Sequence, residues 1–257
     1  MAMSVDLNAD MGESYGRWTL GDDASLMGFL TSANIACGFH GGDPHVMRST
    51  VALAVEHGVG VGAHVSFPDL IGFGRRRMAA TAEEVQDYVV YQAGAIRAFV
   101  EAAGGRLQHV KPHGALYTSI VDDAELARAV AEAVALLGSD VILLMPPSVA
   151  PAAAEAGVPF VPEGYVDLDY GADGKLVLER VKQVRDPEVM GEKALRLVRD
   201  GKVSTVEGGE LDLHVESICV HGDAPNAPAI ARAIRDRLED AGVGLAPLAE
   251  LRTVAPH

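Results

Sequence analysis

Short apolar runs of strand length alternate along the chain with longer stretches of helical period, the contrast that separates buried strands from amphipathic helices. Val5 to Asn8 and Ala33 to Ala36 read as the first two strands. Asp43-Pro44 then starts a helix to about His57, because Asp accepts the orphan amides and Pro has the right φ with no donor to lose. Val59 to Val65 is the third strand, and Thr81 with Glu84 forms a capping box for a helix that Gly104-Gly105 ends after Ala103. Leu107 to Lys111, Val141 to Met145 and Pro159 to Glu163 continue the strands. A helix from Asp122 to Leu137, with Glu125 as its capping partner, and another after Pro146-Pro147 to about Ala156 lie between them. Gly164 to Arg185 has no clear period and reads as a loop or a hairpin around Asp173-Gly174. Asp186-Pro187 opens an amphipathic helix to Asp200, Val215 to Val220 is the last strand, and a helix follows from about Pro225 to Ala241.

Six or seven βα units with no Gly/Ser-rich linker predict a parallel α/β barrel forming a single domain over residues 1–257, ahead of an open doubly wound sheet. With 49% hydrophobic and 22% charged residues the chain can bury a core. Its formal charge of −15 argues against nucleic acid and anionic membranes, whose phosphates seek Lys/Arg-rich faces. Cys37 and Cys219 are too few for a disulfide framework, and the N-terminus lacks the basic start and apolar run of a signal peptide. No apolar run approaches the roughly 20 residues of a membrane span. A cytoplasmic protein is expected.

In parallel α/β folds the chemistry gathers at the C-terminal strand ends, and the unusual polar residues fall there. Strand alternation puts Asp6, Asn8 and Asp10 on one side of the first strand. The second strand runs into His40 among Gly38, Gly41 and Gly42; the third delivers His64; the fourth delivers His109, Lys111 and His113; the sixth delivers Glu163; the last delivers His221 and Asp223. Lys111 and His113 suit an anionic or carbonyl group, and Glu163 reads as a general base or a loop cap. Asp223 reads either as the carboxylate that orients His221 or as a helix N-cap. His109 could share the Lys111 face or simply pack, and the two cysteines read as buried thiols beside the site. Asp6, His40 and His64 together would suit zinc or a similar ion. Arg75-Arg76-Arg77, the one dense basic run, reads as an anion clamp or a solvated cluster. No phosphate loop, dinucleotide fingerprint, His-Glu-x-x-His or serine elbow occurs.

Seven stretches, in chain order, resemble the LamB/YcsF family: Asp6-Leu7-Asn8-Ala9-Asp10-Met11-Gly12-Glu13, Ser32 to Pro44, Gly62-Ala63-His64, Ser66 to Asp69, Gly72 to Arg76, Val110 to Tyr117, and Cys219-Val220-His221-Gly222-Asp223. The resemblance implies a distorted β/α barrel similar to the glycoside hydrolase/deacetylase superfamily. It also implies a hydrolase that opens the lactam of 5-oxo-L-proline to L-glutamate, with ATP as co-substrate of a complex containing separate 5-oxoprolinase B and C subunits. A divalent metal and a homo-oligomer are both admitted. Under this reading Asp6, His40, His64 and His221 form the acid-base or metal centre, supported by Asn8, Asp10 and Asp223; Lys111 and His113 polarise the carbonyl, and Glu163 assists proton transfer. Two departures stand out: Val65 where the family has Pro, and Leu168 where it has Arg. Leu cannot make a bidentate ion pair with a carboxylate, which opens the site to lactams other than 5-oxoproline. An ATP-independent metal-dependent amide hydrolase or deacetylase, and a chain that only presents substrate to catalytic partners, are the alternative readings.

Overall fold

The computed structural model describes residues 3–177 and 183–252. Seven parallel strands, β1 (Ser4–Met11), β2 (Ser32–Ala36), β3 (Gly60–Val65), β4 (Leu107–Pro112), β5 (Ile142–Met145), β6 (Phe160–Tyr165) and β7 (Ser217–His221), pair in chain order. The ring closes where β1 pairs with β7, Asp6 opposite Ser217 and Asp10 opposite His221. This closure excludes the open sheet and leaves those strands without a free edge.

Helices α1 (Pro44–Glu56), α2 (Ala82–Ala102), α3 (Gly114–Asp122), α4 (Ala124–Leu137), α5 (Ala150–Glu155), α6 (Pro187–Asp200) and α7 (Ala227–Asp240) surround the barrel. Their caps follow the sequence chemistry: Asp43 and Asp186 accept first-turn amides ahead of Pro44 and Pro187, and Thr81 and Glu84 complete the capping box. One expected boundary is corrected. The helix placed from Asp122 starts at Ala124, with Asp123 accepting the amides of Glu125 and Leu126. Asp122 instead ends α3, a helix that the breaker-like Lys111-Pro112-His113-Gly114 run concealed. The irregular segment after β6 contains an antiparallel hairpin, Asp169–Tyr170 with Leu176–Val177, with Asp173 and Gly174 in its turn; residues 178–182 of that segment lie outside the described residues.

The hydrophobic core lies between strands and helices. Leu7, Ala9 and Met11 of β1, Ile35 of β2, Ala63 and Val65 of β3 and Val110 of β4 point out of the barrel and meet residues such as Val89, Ile96 and Val130 of the helices. Alternation then sends every second side chain inward, where Ile142, Leu144 and Val161 form a small apolar cluster beside a larger polar set. Asp6, Asn8 and Asp10, Ser32 and Asn34, His64, His109 and Lys111, Glu163, and Ser217 are all buried.

Buried polar atoms need partners, and the lumen supplies them strand by strand. Asp6 accepts the hydroxyls of Thr31, Ser32 and Ser217. Asn34 donates to Asn8 Oδ1 at 2.7 Å and to Asp10 Oδ1 at 2.9 Å, while its own oxygen meets His109 Nε2 at 2.7 Å. The His109 ring fits because Gly62 faces it across the β3–β4 pair: a Cβ there would sit 2.0 Å from His109 Nε2. Gly62→Ala should therefore destabilise the fold by about 1–3 kcal/mol or more through overpacking, read as a lower urea midpoint with unchanged slope.

Candidate active site

The C-terminal ends of the strands open into a cavity of about 550 Å³ whose inner wall carries Asp10, Glu13, His64, Lys111, His113 and Glu163. Gly12, with φ +65°, turns the chain after β1 so that Glu13 folds back over the barrel end. Glu13 Oε1 lies 3.1 Å from His40 Nε2 and 3.6 Å from His113 Nδ1. His40 stacks flat on His113 at 3.8 Å between ring centroids. Gly74, with φ +64°, lets the loop pass under both rings, where a Cβ would meet His113 at 2.8 Å and His40 at 2.9 Å.

The tautomers follow from their backbone partners, because a carbonyl oxygen only accepts. His64 Nδ1 donates to Lys111 O at 2.8 Å, which turns its Nε2 toward Asp10 Oδ2 at 3.3 Å. His113 Nε2 donates to Phe73 O at 2.9 Å, so its Nδ1, in the neutral ring, presents a lone pair. That Nδ1 and His64 Nε2 face each other at 3.0 Å, a spacing that calls for a proton or a cation between them. Burial, followed by neighbouring imidazoles, holds His40 and His113 well below the usual imidazole range, in the neutral form that ligates metals. Burial and then the charge of Asp10 push Glu13 well up. One ligand atom each from Glu13, His40, His64 and His113 lies within 4.8 Å of the others, so this buried group could hold a metal ion. Three imidazoles and a carboxylate suit zinc or a similar ion, and the His64 and His113 bonds to carbonyls are the orienting contacts that such ligands require.

Beside this cluster stands a second one. Lys111 Nζ lies 2.8 Å from Asp10 Oδ1, 2.9 Å from Cys219 Sγ and 3.6 Å from Glu163 Oε2. Burial alone would neutralise both groups; for Lys111 it is outweighed first by the charge of Asp10, which holds it cationic, and for Asp10 by His64 and Lys111, which hold it anionic. Burial lifts Glu163 to about 7 against the pull of Lys111. Its Oε1 accepts the Tyr165 hydroxyl at 3.0 Å, and its Oε2 makes no hydrogen bond. Burial also pushes the Cys219 thiol well up, the opposite of what a thiolate nucleophile needs.

Several sequence-predicted residues thus converge and others do not. Asp10, His64, Lys111, His113 and Glu163 share the cavity wall, and His40 lies directly behind His113. The grouping of Asp6 with His40 and His64 is corrected: four residues of strand put Asp6 roughly 13 Å below Asp10, where it meets hydroxyls and Asn8 rather than imidazoles. Asn8 lies in the same lower layer, bonded to Ser217 at 2.7 Å. His221 lines the cavity, but the carboxylate at its Nδ1 is Asp167, at 3.1 Å; Asp223 pairs with Arg75 at 2.7 Å and caps no helix. The three arginines form no joint clamp: Arg76 bonds Asp69 and Arg77 bonds Asp122. Sequence reasoning passed over Glu13, Asn34 and Asp167. Glu13 had a signal, a carboxylate directly after a glycine at a strand end.

The sequence model of the LamB/YcsF family matches residues 5–253. Among named relatives, the 5-oxoprolinase A subunit of Thermococcus onnurineus is 48% identical over 252 residues, covering 96% of this chain and 99% of that protein. Its namesake in Streptomyces coelicolor is 49% identical over 249 residues, covering 95% and 100%. The crystal structure of the lactam utilization protein from Thermus thermophilus superposes with a TM-score of 0.89 at 46% identity, covering 96% of this chain and all of the other. A T48 deacetylase, at 16% identity and a TM-score of 0.54 over 99% of this chain and 93% of its own, shares the barrel alone.

Burial holds the Asp6 carboxyl at about 6, against 3.8 for the free side chain, despite its three hydroxyl donors. The folded state therefore binds that proton more tightly than the unfolded chain, and the resulting stability is complete below about pH 4 and lost as pH rises through about 6. Asp6→Asn should remove this component, flattening the pH 4–7 stability profile by on the order of 3 kcal/mol, measured by chemical denaturation across that range.

Proposed function

The chain belongs to the LamB/YcsF family, and on that premise we propose that it is the lactam-opening component of a multi-subunit 5-oxoprolinase, hydrolysing the cyclic amide C–N bond of 5-oxo-L-proline to give L-glutamate. The observation that carries this reading is the convergence of a fixed cation, a carboxyl group titrating near neutrality and a cluster of imidazoles with a carboxyl group at the barrel end. The barrel acts as one domain in the cytoplasm, with the B and C subunits as partners. ATP is the co-substrate of the assembled complex and is spent outside this chain. The names of the relatives, which designate one lettered component of a larger enzyme, support the partnership.

The lactam carbonyl sits against Lys111, whose ammonium polarises it and stabilises the charge that grows on oxygen as water attacks. His221, with its Nδ1 proton held by Asp167, takes the proton of that water at Nε2. Glu163, protonated below about pH 7, hands the Oε2 proton to the ring nitrogen as the C–N bond breaks. Asp10 fixes Lys111 through Oδ1, and Asn34 fixes Asp10. A divalent ion on Glu13, His40, His64 and His113 would supply Lewis acidity beside the carbonyl. That same group supports a second reading, metal-dependent amide hydrolysis without ATP.

Three measurements test this. Assembled with B and C, the chain should form glutamate from 5-oxoproline only with ATP; turnover without ATP would favour the second reading, and no turnover beside an active homologous complex would remove the first. Because protonated Glu163 is the acid, kcat should fall as pH rises through about 7, and Glu163→Gln should lose about 10²–10⁴ in kcat with its folded stability retained. Calorimetric titration of the chain with Co²⁺ should show one site that Glu13→Gln weakens and His64→Ala abolishes.

A further inference from the structure

The volume and lining of the cavity point beyond a bare lactam. At about 550 Å³ it falls in the range that encloses drug-sized ligands, about 300–1,000 Å³, and a single five-membered ring leaves much of it unfilled. The wall past Glu163 and Tyr165 is apolar. Leu168, 3% exposed, faces the cavity with Val121, Tyr170, Leu176 and Leu213.

Charge does not redress this. The described cavity lining holds four cations, and each already has a carboxylate. Lys111 has Asp10 and Glu163, Arg75 has Asp223, and Arg77 and Lys175 share Asp122. Asp10, Asp122 and Asp223 are the lining carboxylates that pair with them, while burial pushes Glu13 well up and lifts Glu163 to about 7. Arg77 and Lys175 stand at the rim, 67% and 60% exposed, where an ion pair is worth about 1 kcal/mol or less. A ligand carboxylate turned toward Leu168 would lose its hydration and gain no partner there. An apolar group in the same place would bury its surface at about 25 cal/mol per Å².

Resting on the lactam-opening reading above, we propose that the preferred substrates of this chain are lactams carrying an apolar substituent next to the ring nitrogen, and that Leu168 selects them over carboxylate-bearing lactams. The ring amide keeps its place at Lys111 and Glu163, and the substituent lies on Leu168, Leu176 and Leu213. The reaction is unchanged: water adds to the carbonyl carbon, the C–N bond breaks, and the products are one carboxylate and one amine on the same chain.

The test gives the assembled complex 5-isobutyl-2-pyrrolidone, 2-pyrrolidone and 5-oxoproline, with the ring-opened amino acids quantified by mass spectrometry. The isobutyl lactam should exceed 5-oxoproline in kcat/KM by about tenfold or more, the size of discrimination an apolar pocket gives. Leu168→Arg should reverse that order. Leu168→Ala, which adds no charge, should keep it while lowering the isobutyl advantage, so the result does not hang on one variant folding. A wild-type preference for 5-oxoproline, or an order unmoved in a folded Leu168→Arg protein, overturns the role of Leu168 and leaves the lactam reading standing. Opening of none of the three lactams overturns both.

Discussion

The ion pair of Lys111 and Asp10 is the constraint around which the barrel interior is arranged. Both groups are buried, 2.8 Å apart, and neither could stay charged alone at that depth, where an unpaired ion costs several kcal/mol. Each is therefore held by more than its partner. Asn34 donates to Asp10, His64 faces its second oxygen at 3.3 Å, and Cys219 and Glu163 flank the ammonium. Asn34 in turn is positioned by Asn8 and His109, whose imidazole is pushed down to about 3 by burial and the Lys111 charge and so stays a neutral donor. The polar column running up the barrel from Asp6 is the scaffold of this pair.

That arrangement separates the inner wall of the cavity into two chemistries that share Asp10. On one side stand fixed charges and a carboxyl poised near neutrality; on the other, the neutral, stacked imidazoles of His40 and His113 beside His64 and Glu13. Both depend on exclusion of water, since in a solvated site Glu163 would be an ordinary carboxylate and His40 and His113 would titrate in the usual imidazole range. The outer part of the cavity differs. Its three cations, Arg75, Arg77 and Lys175, are paired with two carboxylates, Asp223 and Asp122. Arg75 to Arg77, a run in the sequence, form no joint clamp because consecutive residues of that loop point to three different carboxylates.

Much of the architecture was legible in the order of residues. Period-two apolar runs, Asp-Pro and Thr-x-x-Glu helix starts and glycine stops each act through neighbours a few positions away, and the strands and the capped helices α1, α2 and α6 lie where those signals put them. Helix α3 was hidden because it has no side-chain cap, begins on Gly114 and comes directly after Pro112 and His113. The histidines and carboxylates at strand ends were also legible as a set, since the C-terminal end of a parallel barrel strand is defined by the strand itself.

The sequence by itself determined which side chains share a strand face, and that polar ones gather on one face of most strands, because alternation along a strand is local geometry. Only the tertiary structure decided which of them meet. Asp6 and Asp10 are equivalent in the pattern, yet one is surrounded by hydroxyls and the other by Lys111 and His64. His221 takes Asp167 rather than Asp223, and Glu13 joins three imidazoles drawn from three other loops and strands. Barrel closure and strand register set those distances, and burial then sets the charges, neither of which any short stretch of chain contains.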